Sequence, residues 1–162
     1  RSGPKKCLQD DFITHSEDTL FRGTFCGAIA GILKDSIDYI FYAVNTEGVF
    51  FWSFASVIAF GKLPKGLFPD IFGLTLEIIF SAFLGFIYAG VTKKIKTRHY
   101  LINGIFFGSM VWFLIRAAIV GYKINELKTV GIPVRPFITW FLSLVYGITL
   151  AWLERKLSPK TS

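Results

Sequence analysis

Apolar residues fall into long blocks separated by short polar punctuation. From Leu67 to Thr92, from Tyr100 to Tyr122 and from Phe137 to Leu153 the chain is almost wholly apolar. Each block meets or approaches the roughly 20 helical residues that a bilayer core requires. A further helical pattern runs from about Glu17 to Val44 but carries Lys34, Asp35 and Asp38. On a helix turning about 100° per residue, Gly23, Gly27, Gly31, Lys34, Asp35 and Asp38 share one face. Phe25, Ile29, Ile32, Leu33 and Ile40 occupy the opposite face, which suits lipid. A charge facing hydrocarbon costs at least about 2.5–3.5 kcal/mol, so the charged face is expected to pack against protein.

Between the first two blocks lies a shorter one, Val49 to Phe60, ended by GKLPKG. Twelve helical residues extend only about 18 Å, which predicts a re-entrant or interfacial half-helix rather than a crossing. Pro64 and Pro69 bracket the turn that follows. The expected fold class is therefore all-α. It is a four-helix transmembrane bundle with spans at about 17–44, 67–92, 100–122 and 137–153 and a half-helix at 49–60. These make one domain, 17–157, between a polar and partly disordered tail at 1–16 and a short tail at 158–162.

Composition supports the membrane reading. The 162 residues are 52% hydrophobic and include 18 phenylalanines, and only 18% are charged, against about 25% in a soluble domain. The net charge of +7 does not point to nucleic acid, because the basic residues sit beside apolar blocks, as the positive-inside rule expects. With the 92–99 loop and both termini on the cytoplasmic side, eleven Lys and Arg lie inside and five outside. A five-crossing alternative would place the N-terminus outside and needs 49–60 to cross. Lys93, Lys94, Lys96 and Arg98 form the strongest basic cluster, a topology signal that also suits anionic lipid head groups.

The chain carries signs of internal duplication. LFRGTFCG at 20–27 resembles LINGIFFG at 101–108, each with a G-x-x-x-G pair: Gly23 and Gly27, then Gly104 and Gly108. Ser81, Gly85 and Ala89 recur as Ser143, Gly147 and Ala151, and a basic pair follows each set. Small residues at every fourth position let membrane helices approach closely. The pattern predicts two helical hairpins related as parallel repeats.

Three spans hold ionisable residues away from their ends: Lys34, Asp35 and Asp38, then Glu77, then Arg116. Depth counting puts Asp38, Glu77 and Arg116 in the outer half of the bilayer, with Lys34 and Asp35 a turn deeper. Spacing of four predicts a Lys34–Asp38 pair, and similar depth predicts Glu77–Arg116. Two readings stay open. The residues are structural ion pairs that fix helix register, or the carboxylates line a polar site that binds a cation or relays protons.

Other chemistry is not indicated. There is no phosphate loop, dinucleotide fingerprint or H-E-x-x-H, and His15 and His99 lie in boundary segments away from any serine at matching depth. Cys7 and Cys26 show no metal spacing and poor placement for a disulfide. The expectation is no enzyme, no cofactor and no metal site. The runs RGTFCGAIAGILKDSIDY, FGKLP and TRHYLINGIFFGSMVW resemble uncharacterised small four-helix integral membrane proteins of bacteria, over about residues 20–157. The resemblance implies a cell-membrane protein and brings no established activity, ligand or site. The functional expectation is a small ion- or proton-coupled transporter or channel-like subunit, self-associating or joined to other membrane subunits. The alternative is an accessory or assembly protein whose glycine faces bind other membrane helices.

Overall fold

The computed structural model of the chain describes residues 4–44, 52–60, 66–94, 99–121 and 135–158. These residues form five helices: α1 (Pro4–Ala43), α2 (Ser53–Phe60), α3 (Leu67–Lys94), α4 (Tyr100–Gly121) and α5 (Arg135–Leu157). Among the described residues there is no strand. Three segments are long and apolar enough to cross a membrane: Leu67–Lys93, Tyr100–Ile119 and Pro136–Leu157. They mark the chain as an integral membrane protein. α1 has 40 residues but is polar in its first half and charged in its second.

The start of α1 corrects an expectation. The helix begins at Pro4 rather than near Glu17 and runs unbroken through the stretch expected to be a partly disordered tail. Proline is favoured at the first helical position, where its missing N–H is not needed. From Lys5 to Arg22 there is neither glycine nor proline to stop a helix once begun. Its end at Ala43, with a turn at Val44, falls where the sequence predicts. The break at 45–48, the first residues of the half-helix, the GKLPK stretch at 61–65 and the loop at 122–134 lie outside the described residues.

α2 spans eight residues and packs on the start of α3. The Ser56 hydroxyl donates to Pro69 O at 3.1 Å, and a Cβ on Gly73 would lie 2.9 Å from Trp52 O. Pro69 sits in the first turn of α3, which a proline tolerates. Gly66 precedes that turn at φ 129°, a conformation closed to most L-residues.

Two helix pairs, α1 with α3 and α4 with α5, close on each other through glycine contacts. A Cβ on Gly23 would strike Ala89 Cβ and Gly85 O, and one on Gly27 would strike Ser81 O and Gly85 Cα. In the second hairpin Gly104 meets Ala151 Cβ and Gly147 O, and Gly108 meets Ser143 O and Gly147 Cα. Backbones so close leave no room for any side chain, which is how helices gain contact where lipid offers no hydrophobic drive. The hairpins join through α1 against α5, while α3 and α4 stay apart along most of their length. The core between them holds Cys26, Ala30, Tyr88, Tyr146, Leu150 and Ala151. Most large apolar side chains point outward instead, Phe106 and Phe113 of α4 among them. An apolar exterior of this extent fits acyl chains rather than water.

Candidate functional site

The packed stripe of α1 continues past its glycines into its charges. Gly23, Gly27, Gly31, Lys34, Asp35 and Asp38 are all buried, and Phe25, Ile29, Ile32, Leu33 and Ile40 are all exposed. Lys34, Asp35, Asp38 and Glu77 are 2%, 4%, 0% and 5% exposed, so water solvates none of them appreciably. Burial of ionised groups is costly unless opposite charges meet, and these do. Lys34 Nζ donates to Glu77 Oε1 across the α1–α3 seam and lies 3.0 Å from Asp35 Oδ1.

This pairing differs from the sequence expectation. Glu77 is joined to Lys34 and not to Arg116, which is half-buried on α4 and makes no ion pair among the described residues. The reason is register. Going up α1 by four and down α3 by four pairs Gly23 with Ala89, Gly27 with Gly85 and Gly31 with Ser81. The next step brings Lys34 and Asp35 opposite Glu77. Asp38 lies within electrostatic reach of Asp35, as does Glu77. Among the described residues Lys34 thus meets Glu77 and Asp35, with Asp38 nearby, and Arg116 does not join them.

Lys34 and Glu77 form the floor of a cleft between α3 and α4, together with Ser81, Ser143 and Tyr146. Its walls are apolar: Phe80 and Leu84 of α3, Val111 and Ile115 of α4. The cleft has about 270 Å³ of open space, but the enclosed part has room for only about one water molecule. The Tyr146 hydroxyl donates to Ser81 O at 2.7 Å. Among the described residues no three His, Cys, Asp or Glu side chains converge closely enough to hold a metal ion. Cys26 is a buried free thiol.

At the matching level of the second hairpin no ion pair forms among the described residues, although Arg116 stands to Gly108 as Asp35 does to Gly27. Trp112 Nε1 donates to Thr139 Oγ1 at 3.1 Å, and Ser143 Oγ donates back to Thr139 O at 3.0 Å. Of the candidate lipid contacts, Lys93 is exposed, whereas the side chain of Lys94 and all of Lys96 and Arg98 lie outside the described residues. Two other basic residues line the same end: Arg155 stands 4.1 Å over the Tyr100 ring and Lys156 4.7 Å over that of Trp152. Tyr146 and Thr139 were not singled out in the sequence, although both fall on the same α5 face as Ser143. Comparison of the chain with protein-family profiles, curated proteins and solved structures finds no match, so any functional reading rests on this geometry.

Proposed function

We propose that the chain is a four-crossing protein of the bacterial cell membrane, and that its α1–α3 carboxylate cluster is the working site of a small proton- or ion-coupled transporter or channel-like subunit. α1 is the fourth crossing in this reading. Its segment from Leu20 to Val44 runs antiparallel beside α3 and carries an outward stripe of Phe21, Phe25, Ile29, Ile32, Ile40 and Val44. Both termini are cytoplasmic, with Lys93, Arg155 and Lys156 at the inner surface. The hairpins α1–α3 and α4–α5 are parallel repeats, with α1 equivalent to α4 and α3 to α5.

One observation carries the functional reading. The second hairpin closes by the same glycine contacts, yet among the described residues it forms no ion pair at the level of the first hairpin's charges, where Arg116 is half-buried and Trp112 Nε1 donates to Thr139 Oγ1. Packing does not require Lys34, Asp35, Asp38 and Glu77. Charges that a fold does not need and that are expensive to bury are expected to serve ligand or proton exchange. Asp35 and Glu77 share the Lys34 ammonium, which favours exchange of a positive species. Among the described residues no three acids converge closely enough to cage a metal ion, so a proton suits the site better. The interior is too tight for a standing aqueous path, so conduction needs opening of the α3–α4 cleft, a second copy or other membrane subunits. The helix-assembly reading has less support, since the glycine faces it relied on are occupied within the chain.

The test is proton flux into vesicles reconstituted with the purified protein. Asp35→Asn and Glu77→Gln should each lower flux at least tenfold at equal reconstitution yield. Flux unchanged in both variants contradicts the proposal.

A further inference from the structure

A second carboxylate lies at the opposite end of the same interior. α3 and α5 run parallel and present matching stripes. α3 offers Glu77, Ser81, Leu84, Tyr88 and Thr92, and α5 offers Thr139, Ser143, Tyr146, Leu150 and Glu154, in identical steps of four, three, four and four. Contacts fix their register. Ser81 and Ser143 share the cleft floor, and Tyr146 donates to Ser81 O. Tyr88 and Leu150 meet in the core, and Thr92 Oγ1 lies 3.3 Å from each oxygen of Glu154. Where one helix places an aliphatic residue the other places a hydroxyl: Leu84 is matched by Tyr146, and Leu150 by Tyr88. Each step of the seam therefore carries at least one hydroxyl, over about 22 Å from Glu77 to Thr92.

We infer that Glu154 is the inner proton-exchanging carboxylate of this seam, facing the Lys34–Asp35–Glu77 cluster at its outer end. The inference rests on the proton-coupled reading above. Glu154 is half-buried and so within reach of water at the inner surface. Charged and titratable groups face it from each packed element. Arg22 of α1 lies within electrostatic reach and Cys26 beside it, while Tyr88 of α3 is close by. Tyr88 in turn donates to Tyr100 O of α4 at 3.5 Å, under the Arg155 guanidinium. Arg22 Nε is buried without a hydrogen-bond partner among the described residues, which places an unspent donor at this end. A proton arriving along the seam bonds to a Glu154 carboxylate oxygen and makes the neutral acid. Its loss to inner-side water restores the anion, and no other group changes its proton count over the cycle. The centre of the seam is packed by Cys26, Ala30, Tyr88 and Leu150, so passage is gated there rather than continuous.

The test uses full-length protein in lipid vesicles, a pH-sensitive dye inside and an imposed pH gradient. Glu154→Gln should lower proton flux at least tenfold, with the unfolding midpoint in detergent unchanged, and Glu154→Asp should restore a substantial part of it. Wild-type flux in Glu154→Gln, with Asp35→Asn inactive, overturns the inference and leaves the outer site standing. Equal loss in Glu154→Gln and Glu154→Asp assigns the residue to packing and also overturns it. If Asp35→Asn is indistinguishable from wild type, the proton-coupled reading itself fails.

Discussion

Replacing Lys34 by methionine is expected to cost the folded protein about 3–5 kcal/mol. Methionine matches the lysine stem in length and fits a packed helix face, so the loss reports charge rather than shape. Among the described residues Lys34 is the one ammonium in contact with Glu77 and Asp35. Without it, buried carboxylates face one another in a region nearly closed to water. Removing both partners should hurt less than the sum of the single changes. The double variant Lys34→Met with Glu77→Met should therefore show a coupling of about 0.5–3 kcal/mol in a thermodynamic cycle. Unfolding in mild detergent, followed by helical signal, measures all four proteins. A cycle that closes with no coupling would mean the two side chains do not interact in the membrane.

Gly85→Ala is expected to destabilise by about 1–3 kcal/mol or more, although alanine is the better helix former. The added methyl would stand 2.7 Å from Gly27 Cα and 2.9 Å from Gly27 N, which are backbone atoms that no rotamer change can move aside. The hairpin has to open for the methyl to fit, and opening it separates Lys34 from Glu77 as well. Gly147→Ala should act in the same way, because its Cβ would lie 3.0 Å from Gly104 C and 3.1 Å from Gly108 N. Gly90→Ala is the control. Its Cβ meets only Leu20 Cδ2, at 3.7 Å, an ordinary contact, and the change should be neutral or slightly stabilising. Equal stability of Gly85→Ala and Gly90→Ala in the same denaturation series would refute the close approach of α1 and α3.

Much of this arrangement was legible in the residues. Glycine at every fourth position is a packing signal with few competing meanings, and the small residues expected at the two seams are the ones found there. The outward stripe of α1 followed from the same helical angle. The ion pairing does not follow from spacing of four along one helix, because it is set by register between helices. The information was present: the G-x-x-x-G run of α1 and the S-x-x-x-G-x-x-x-A run of α3, laid antiparallel, place Lys34 and Asp35 opposite Glu77. Depth alone could not choose between Lys34 and Arg116 as the partner of Glu77, since both lie near the same level. The early start of α1 was hidden for another reason. Polar residues without glycine or proline carry little signal either way, and a lone Pro4 near the start of the chain does not by itself mark a helix. The α3–α5 seam was missed because its polar positions are split between two helices, so neither stripe alone looks hydrophilic.

The account depends above all on α1 crossing the bilayer beside α3 with its charges turned inward. Nitroxide labels placed singly from Phe25 to Ile40, in protein reconstituted in lipid, test this directly. Relaxation by oxygen, which concentrates in the acyl region, is compared with relaxation by a water-soluble nickel chelate. On this account, labels at Phe25, Ile29 and Ile32 should respond to oxygen and not to nickel. Strong nickel relaxation at Phe25 and Ile32 would place α1 outside the membrane and contradict it.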